Sequence, residues 1–243
     1  WTLRPGVEQL AILDAKPGTE LTVSTTDDEP LATGVVDDEG SLLFRSLPAG
    51  TDVRVTSDAE VSADVTVLAV DDVPDGDFYT DQSKLPAGGF GYVTVRDGTT
   101  LSANVVLPGP ADEGPYPTVV EYSGYAPSDP SDTTFAELYN ALGFAYVGVN
   151  MRGTGCSGGS YRFFELAQSI DGYDVIETVA RQPWVLHHKV GMVGLSYPGI
   201  TQLYVAATRP PSLAAITPLS VIDDPWRQQW PGGIYNSGFT KAW

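Results

Sequence analysis

Three groups of residues have the type and spacing to do chemistry: a serine between glycines, a loop tyrosine and a histidine pair. The serine lies in Lys189 to Thr201, KVGMVGLSYPGIT. Val190 to Leu195 is an uncharged run that suits a strand buried on both faces. It stops at Gly194-Leu195-Ser196-Tyr197-Pro198-Gly199, and the mostly apolar ITQLYVAATRP that follows suits a helix. A strand, a sharp turn with serine at its tip and then a helix make the arrangement that presents a serine nucleophile. Backbone strain at the tip leaves no room for neighbouring side chains, which accounts for Gly194 and Gly199. Pro198 fits the first helical turn, where its missing N–H costs nothing. The second glycine sits one place later than in the strict G-x-S-x-G pattern. A plain Gly-Ser turn is the competing reading, and context has to decide.

Tyr122-Ser-Gly-Tyr125 follows the apolar segment Pro117–Tyr122. Tyr125 either donates its phenol O–H to a developing oxyanion or is a packed loop aromatic. His187 and His188 are the only histidines. They precede the strand that Ser196 follows, roughly 25 Å away along extended chain, so neither serves Ser196 as a base. Cys156 lacks a nearby base and is read as an unreactive thiol. Gly153-Thr-Gly-Cys-Ser-Gly158 spells G-x-G-x-x-G, but Ser160-Tyr-Arg-Phe-Phe-Glu follows it, not a small-residue helix. A Gly-rich turn is expected there, with no dinucleotide and no other cofactor.

The elements that must position these residues fall into two patterns. Residues 6–70 read as short strands: Gln9–Leu13, Leu21–Ser24, Leu31–Val36, Ser41–Phe44, Val53–Val55 and Val61–Val70. Pro17-Gly18, Asp37-Asp-Glu-Gly40 and Pro48-Ala-Gly50 punctuate them. This predicts a small all-β sandwich over residues 1–70. Residues 71–90 carry Pro, Gly and Asp without periodicity and are read as a linker. From residue 91 the pattern changes. Gly91–Arg96 and Leu101–Leu107 flank the hairpin turn Asp97-Gly98. Strands follow at Pro117–Tyr122, Ala145–Asn150 and Leu213–Leu219, with helices at Phe135–Leu142 and Ser169–Arg181. Alternating strand and helix predicts an α/β domain with a largely parallel sheet, and Ser196 at the carboxyl end of a central strand, where ligands bind.

Composition narrows the function classes. The chain has 243 residues and a formal net charge of −18, with 17 acidic and four basic side chains in residues 1–80. That acidity argues against nucleic acid and anionic membrane surfaces as partners and favours a highly soluble surface. No apolar run approaches a membrane span. One cysteine permits neither an intrachain disulfide nor a Cys-based zinc site, and the acidic turns match no calcium-loop spacing. The chain opens on Trp1 without a basic-plus-apolar leader, which is read as a removed signal peptide or a missing start. Cytoplasmic and secreted locations both stay open.

Several phrases then combine. They are Val95-Arg-Asp-Gly-Thr-Thr-Leu-Ser-Ala-Asn104, Arg152-Gly-Thr-Gly155, Gln182-Pro-Trp184 and Lys189-Val-Gly-Met-Val-Gly-Leu-Ser-Tyr-Pro-Gly199. Through them the portion from about Tyr92 to Trp243 resembles the cocaine esterase / X-Pro dipeptidyl-peptidase-like family of α/β-hydrolases. The resemblance implies that Ser196 is the nucleophile and that the Tyr197 backbone N–H and the Tyr125 O–H bind the oxyanion. The substrate would be a small ester, amide or peptide. In that family acid and histidine follow the serine. Here no histidine follows Ser196, and Asp223 and Asp224 come too early for the acid. Trp226 to Trp243 looks like the start of the family's helical cap. The resemblance therefore implies the front portion of a longer enzyme, catalytically crippled by itself. The alternative is a non-catalytic relative that binds a partner through its sandwich.

Overall fold

A computed structural model describes all residues except 83–84, 223, 239–240 and 242–243. Asp223 and part of the expected cap segment, with Phe239 and Trp243, therefore lie outside the described residues.

The first 70 residues form two antiparallel sheets. One has the order β1 (Thr2–Gly6), β2 (Gln9–Leu13), β5 (Leu42–Arg45). The other runs β4 (Pro30–Val35), β3 (Glu20–Thr25), β6 (Asp52–Thr56), β7 (Val65–Thr66). Alternate residues point into one shared cluster: Leu10 and Ile12, Leu21 and Val23, Val53 and Val55, each fully buried. This is the period-2 burial that a strand with one wet face requires. Two differences from expectation stand out. Thr2–Gly6, TLRPG, has no apolar alternation and becomes a strand because it pairs residue for residue with β2. Val61–Val70 yields only the two-residue β7, with single bridges at Val61 and Leu68.

Residues 71–90 contain a short helix, α1 (Gly76–Asp81), whose cap Asp75 accepts the Phe78 N–H. The helix buries Tyr79, and the Tyr79 O–H donates to Asp174 at 2.8 Å. Leu85 joins the main core.

The main sheet has six strands in the order β13 (Leu213–Leu219), β12 (Val185–Leu195), β10 (Tyr116–Ser123), β11 (Ala145–Asn150), β9 (Thr100–Val106), β8 (Gly89–Thr94). The pairs β10–β11, β10–β12 and β12–β13 are parallel, and the β8–β9 hairpin joins β11 antiparallel. Every residue of β11, AYVGVN, is buried, as a central strand covered on both faces must be. The other helices are α2 (Thr134–Ala141), α3 (Leu166–Ala180), α4 (Tyr197–Ala207) and α5 (Pro225–Gln229). None of the described helices is long and apolar enough to cross a membrane.

Helix α3 departs most from its sequence pattern. Ile170, Tyr173, Val175, Ile176 and Val179 predict a single apolar face, yet Ala167 to Ala180 is buried throughout. The three carboxylates are buried because each meets a partner, whereas both polar side-chain atoms of Gln168 are buried without a hydrogen bond among the described residues. Asp171 is paired with Arg152, Asp174 with Arg96 and Glu177 with Ser212. A buried charge without such a partner would cost several kcal/mol, on the order of the ~3–5 kcal/mol seen when one is broken.

Candidate active site

Ser196 occupies the turn between β12 and α4 and has φ 66° and ψ −117°. This positive-φ conformation is uncommon for a side chain-bearing residue. The turn is fixed on both sides. The Ser196 N–H donates to Leu219 O of β13 at 2.9 Å, and Ser196 O accepts the Ile200 N–H of α4 at 2.9 Å. A Cβ at Gly194 would lie 2.5 Å from Pro198 Cβ, so that position must be glycine for Pro198 to open the helix. The Ser196 hydroxyl does not cap α4, and Ser196 is half-buried at the sheet's carboxyl edge.

Tyr197, the first residue of α4, directs its own side chain into a cluster of aromatic rings. The Tyr125 ring centroid is 5.6 Å away, Phe164 stacks at 4.9 Å and Phe163 meets it edge-on at 5.8 Å. The Tyr161 and Tyr197 hydroxyls are 3.1 Å apart. Burial, followed by the hydrogen bond with Tyr161, pushes the Tyr197 phenol far above its ordinary range, so it stays protonated. Tyr125 is 49% exposed. Its N–H donates to Ser123 Oγ, and its carbonyl accepts from Asn150 Nδ2 at 2.7 Å. Tyr125 therefore stands on the same edge of the sheet as the Ser196 turn, held by the ends of β10 and β11.

The residues that sequence reasoning missed are Tyr161, Phe163 and Phe164. The signal was present in Ser160-Tyr-Arg-Phe-Phe-Glu, an aromatic run directly after the Gly-rich turn. The turn itself is needed for packing: Gly153 has φ 71°, and a Cβ there would strike the Tyr161 nitrogen at 2.3 Å. The next helix, α3, begins only at Leu166. Cys156 is exposed. His187 and His188 lie near the amino end of β12, opposite Ser196, and His188 Nδ1 is 2.9 Å from Ala180 O.

Arg152 ties this edge to the rest of the fold. Its Nε donates to Asp171 at 2.6 Å, and its NH2 group donates to Asp97 at 2.9 Å. Burial opposes the guanidinium charge, but Asp171 and Asp97 outweigh it and hold its pKa well above the ordinary value. Chemically, the edge presents a hydroxyl on a strained turn, the N-terminal end of a helix and phenol side chains. Helix N-termini and phenol O–H groups are donors suited to an oxyanion.

Residues 97–243 match the family model described as X-Pro dipeptidyl-peptidase (S15 family). Among curated proteins, a provisionally named serine esterase of Mycobacterium bovis is 27% identical over 173 residues, covering 63% of this chain and 27% of that protein. The cocaine esterase of a Rhodococcus species is 28% identical over 158 residues, 62% of this chain and 27% of the esterase. The chain thus spans about a quarter of the length of these curated relatives. Among solved structures, a CocE/NonD family hydrolase from Staphylococcus aureus superposes with a TM-score of 0.51 at 23% identity, covering 67% of this chain and 34% of that one. That likeness concerns the fold, which is α/β-hydrolase-like. The family match covers more than half of the residues, and the chain belongs to the X-Pro dipeptidyl-peptidase (S15) family.

Proposed function

We propose that the protein carrying this chain is a serine hydrolase that cleaves a small ester or amide, transferring an acyl or dipeptidyl group through an acyl-enzyme on Ser196. The Ser196 hydroxyl attacks the substrate carbonyl. The Tyr125 O–H and the Tyr197 backbone N–H donate to the oxygen as it gains charge. The single observation that supports this most is the positive φ of Ser196 between a parallel strand and a helix, with Tyr125 beside the same turn. Ser46 and Ser220 also have positive φ, but at Ser196 it comes with ψ −117°, outside the small left-handed region open to side chain-bearing residues.

A serine hydroxyl is a weak nucleophile without a base. Neither histidine of this chain is at the serine's end of β12, and the curated relatives are almost four times as long as the part matched. We therefore assign the catalytic acid and histidine to polypeptide outside these 243 residues, and expect the chain by itself to turn over little or no substrate. On this reading residues 1–70 are a small β-sandwich, 71–90 a connector and 91–243 the first part of the hydrolase domain. Residues 226–243 begin its cap.

The test is a fluorophosphonate probe applied to the longer polypeptide. Phosphonylation needs a serine activated by a base and an oxyanion site. The probe should label Ser196, and Ser196→Ala should abolish both labelling and turnover of an activated ester. If a polypeptide with downstream acid and histidine never labels, Ser196 is only a turn residue. The chain is then a non-catalytic relative that binds through its N-terminal sheets.

A further inference from the structure

The loop that walls the Ser196 turn is held from outside the main sheet. Residues 160–165 run from the Gly-rich turn to α3 and carry Tyr161, Phe163 and Phe164, all against Tyr197. Both ends of this loop are bonded to the N-terminal sheets. Arg45 of β5 donates from NH2 to Ser160 Oγ at 3.2 Å and from Nε to Glu165 Oε2 at 3.1 Å. Gln9 of β2 donates to the same Glu165 oxygen at 3.3 Å. The Glu165 side chain is 8% exposed and that of Arg45 25%, so their bond is partly shielded from the water that weakens surface ion pairs. Between the anchors, Phe164 has φ 50°. A phenylalanine does not adopt that conformation freely, and it persists only where the surroundings over-determine it.

We propose that Arg45 is a positioning residue: by clamping Ser160 and Glu165 it sets the aromatic wall on which Tyr197, and with it the turn bearing Ser196, is seated. The N-terminal sheets then govern the geometry of the site without supplying a reacting group. Arg45 has the right chemistry for this, since one planar guanidinium reaches both ends of the loop at once. The functional consequence rests on reading Ser196 as the nucleophile; the mechanical coupling does not.

Hydrogen exchange read by mass spectrometry on the 243-residue chain tests the coupling. Arg45→Ala and the gentler Glu165→Gln should speed amide exchange about three- to tenfold in residues 160–166 and in 196–204. Residues 145–150 should not change. Arg45→Lys, whose compact ammonium lacks the planar fork that spans both anchors, should recover only part of the protection. Arg54→Ala serves as control, because Arg54 pairs with Asp64 inside the N-terminal sheets; it should change neither segment. If exchange rises only within residues 1–70, or in 160–166 but not in 196–204, the clamp does not reach the turn and the proposal fails. It also fails if Arg54→Ala loosens the same segments, since the effect is then general. In the longer polypeptide, Arg45→Ala should slow fluorophosphonate labelling about tenfold, a fraction of the ~10²-fold that a 1 Å misplacement costs. Equal labelling of wild type and Arg45→Ala overturns the proposal. A wild type that never labels overturns the nucleophile reading and leaves the exchange result to decide the coupling.

Discussion

A Cβ on Gly199 would fall 2.5 Å from the carbonyl oxygen of Leu219, and that same oxygen accepts the Ser196 N–H. This explains why the second glycine stands three places after the serine and not two. Pro198 already fills the first helical turn, and at residue 199 α4 lies against the Leu219 backbone at the end of β13. Gly199→Ala should therefore push α4 off β13 and lower stability by about 1–3 kcal/mol, the usual cost of overpacking. Gly76→Ala is the matched control, because nothing lies within 4 Å of that position. Urea unfolding should show a lower midpoint for the first variant and an unchanged or higher one for the second.

Tyr125→Phe should separate stability from turnover. The side chain is half exposed, so removal of the hydroxyl should leave the urea midpoint unchanged. In the longer polypeptide, turnover of an activated ester should fall roughly 10²–10³-fold, as when one oxyanion donor is lost. Full activity in this variant would remove Tyr125 from the mechanism.

Arg152→Leu should be the most damaging of these changes to the fold. It strips the partner from both Asp171 and Asp97, whose side chains are 2% and 9% exposed. Breaking a buried pair from one side costs about 3–5 kcal/mol. Asp97→Asn, which keeps the shape and leaves Asp171 paired, should cost clearly less by the same denaturation assay.

The pH dependence of stability should carry the mark of Glu121. This side chain is buried in β10 and accepts the Tyr146 O–H at 2.8 Å. Burial raises its pKa, opposed by the Tyr146 hydrogen bond. With the folded value above the unfolded one, the native state binds the extra proton. The stabilising contribution is present in full below the unfolded pKa and is lost as pH rises through the folded one. Glu121→Gln should abolish this loss. The stability difference, variant minus wild type, should therefore grow in favour of the variant as pH rises from about 4 towards neutrality. A difference that stays flat with pH would contradict the assignment.

What was legible in the sequence is local in origin. Ala145–Asn150 and Leu213–Leu219 are apolar runs ended by turn signals, and both are strands with those same bounds. The Asp97-Gly98 turn announced the β8–β9 hairpin. Gly194, Ser196 and Gly199 announced a strand–turn–helix, and the structure has one there. What was not legible depends on distant partners. Thr2–Gly6 becomes a strand only through β2. The burial of Asp171, Asp174 and Glu177 leaves no mark on the helix pattern, because Arg152, Arg96 and Ser212, their partners, are remote in sequence. The wall of Tyr161, Phe163 and Phe164 was hidden for the same reason. Those rings meet Tyr197 more than 30 positions later in the chain, and no periodicity marks such a pairing.

The φ of 66° at Ser196 also bears on how such a chain changes under mutation. A side chain held there costs of order 1–3 kcal/mol, out of a total margin of about 5–15 kcal/mol for a folded domain. Glycine adopts the same angles without penalty. On the proposed reading of Ser196 as the nucleophile, folding and reactivity favour different residues at this position. Random drift under selection for stability alone would replace the serine and tighten the protein as it did so. Retaining serine at residue 196 is then a standing compromise, in which the tip of the turn is less stable than the same backbone would be with glycine there.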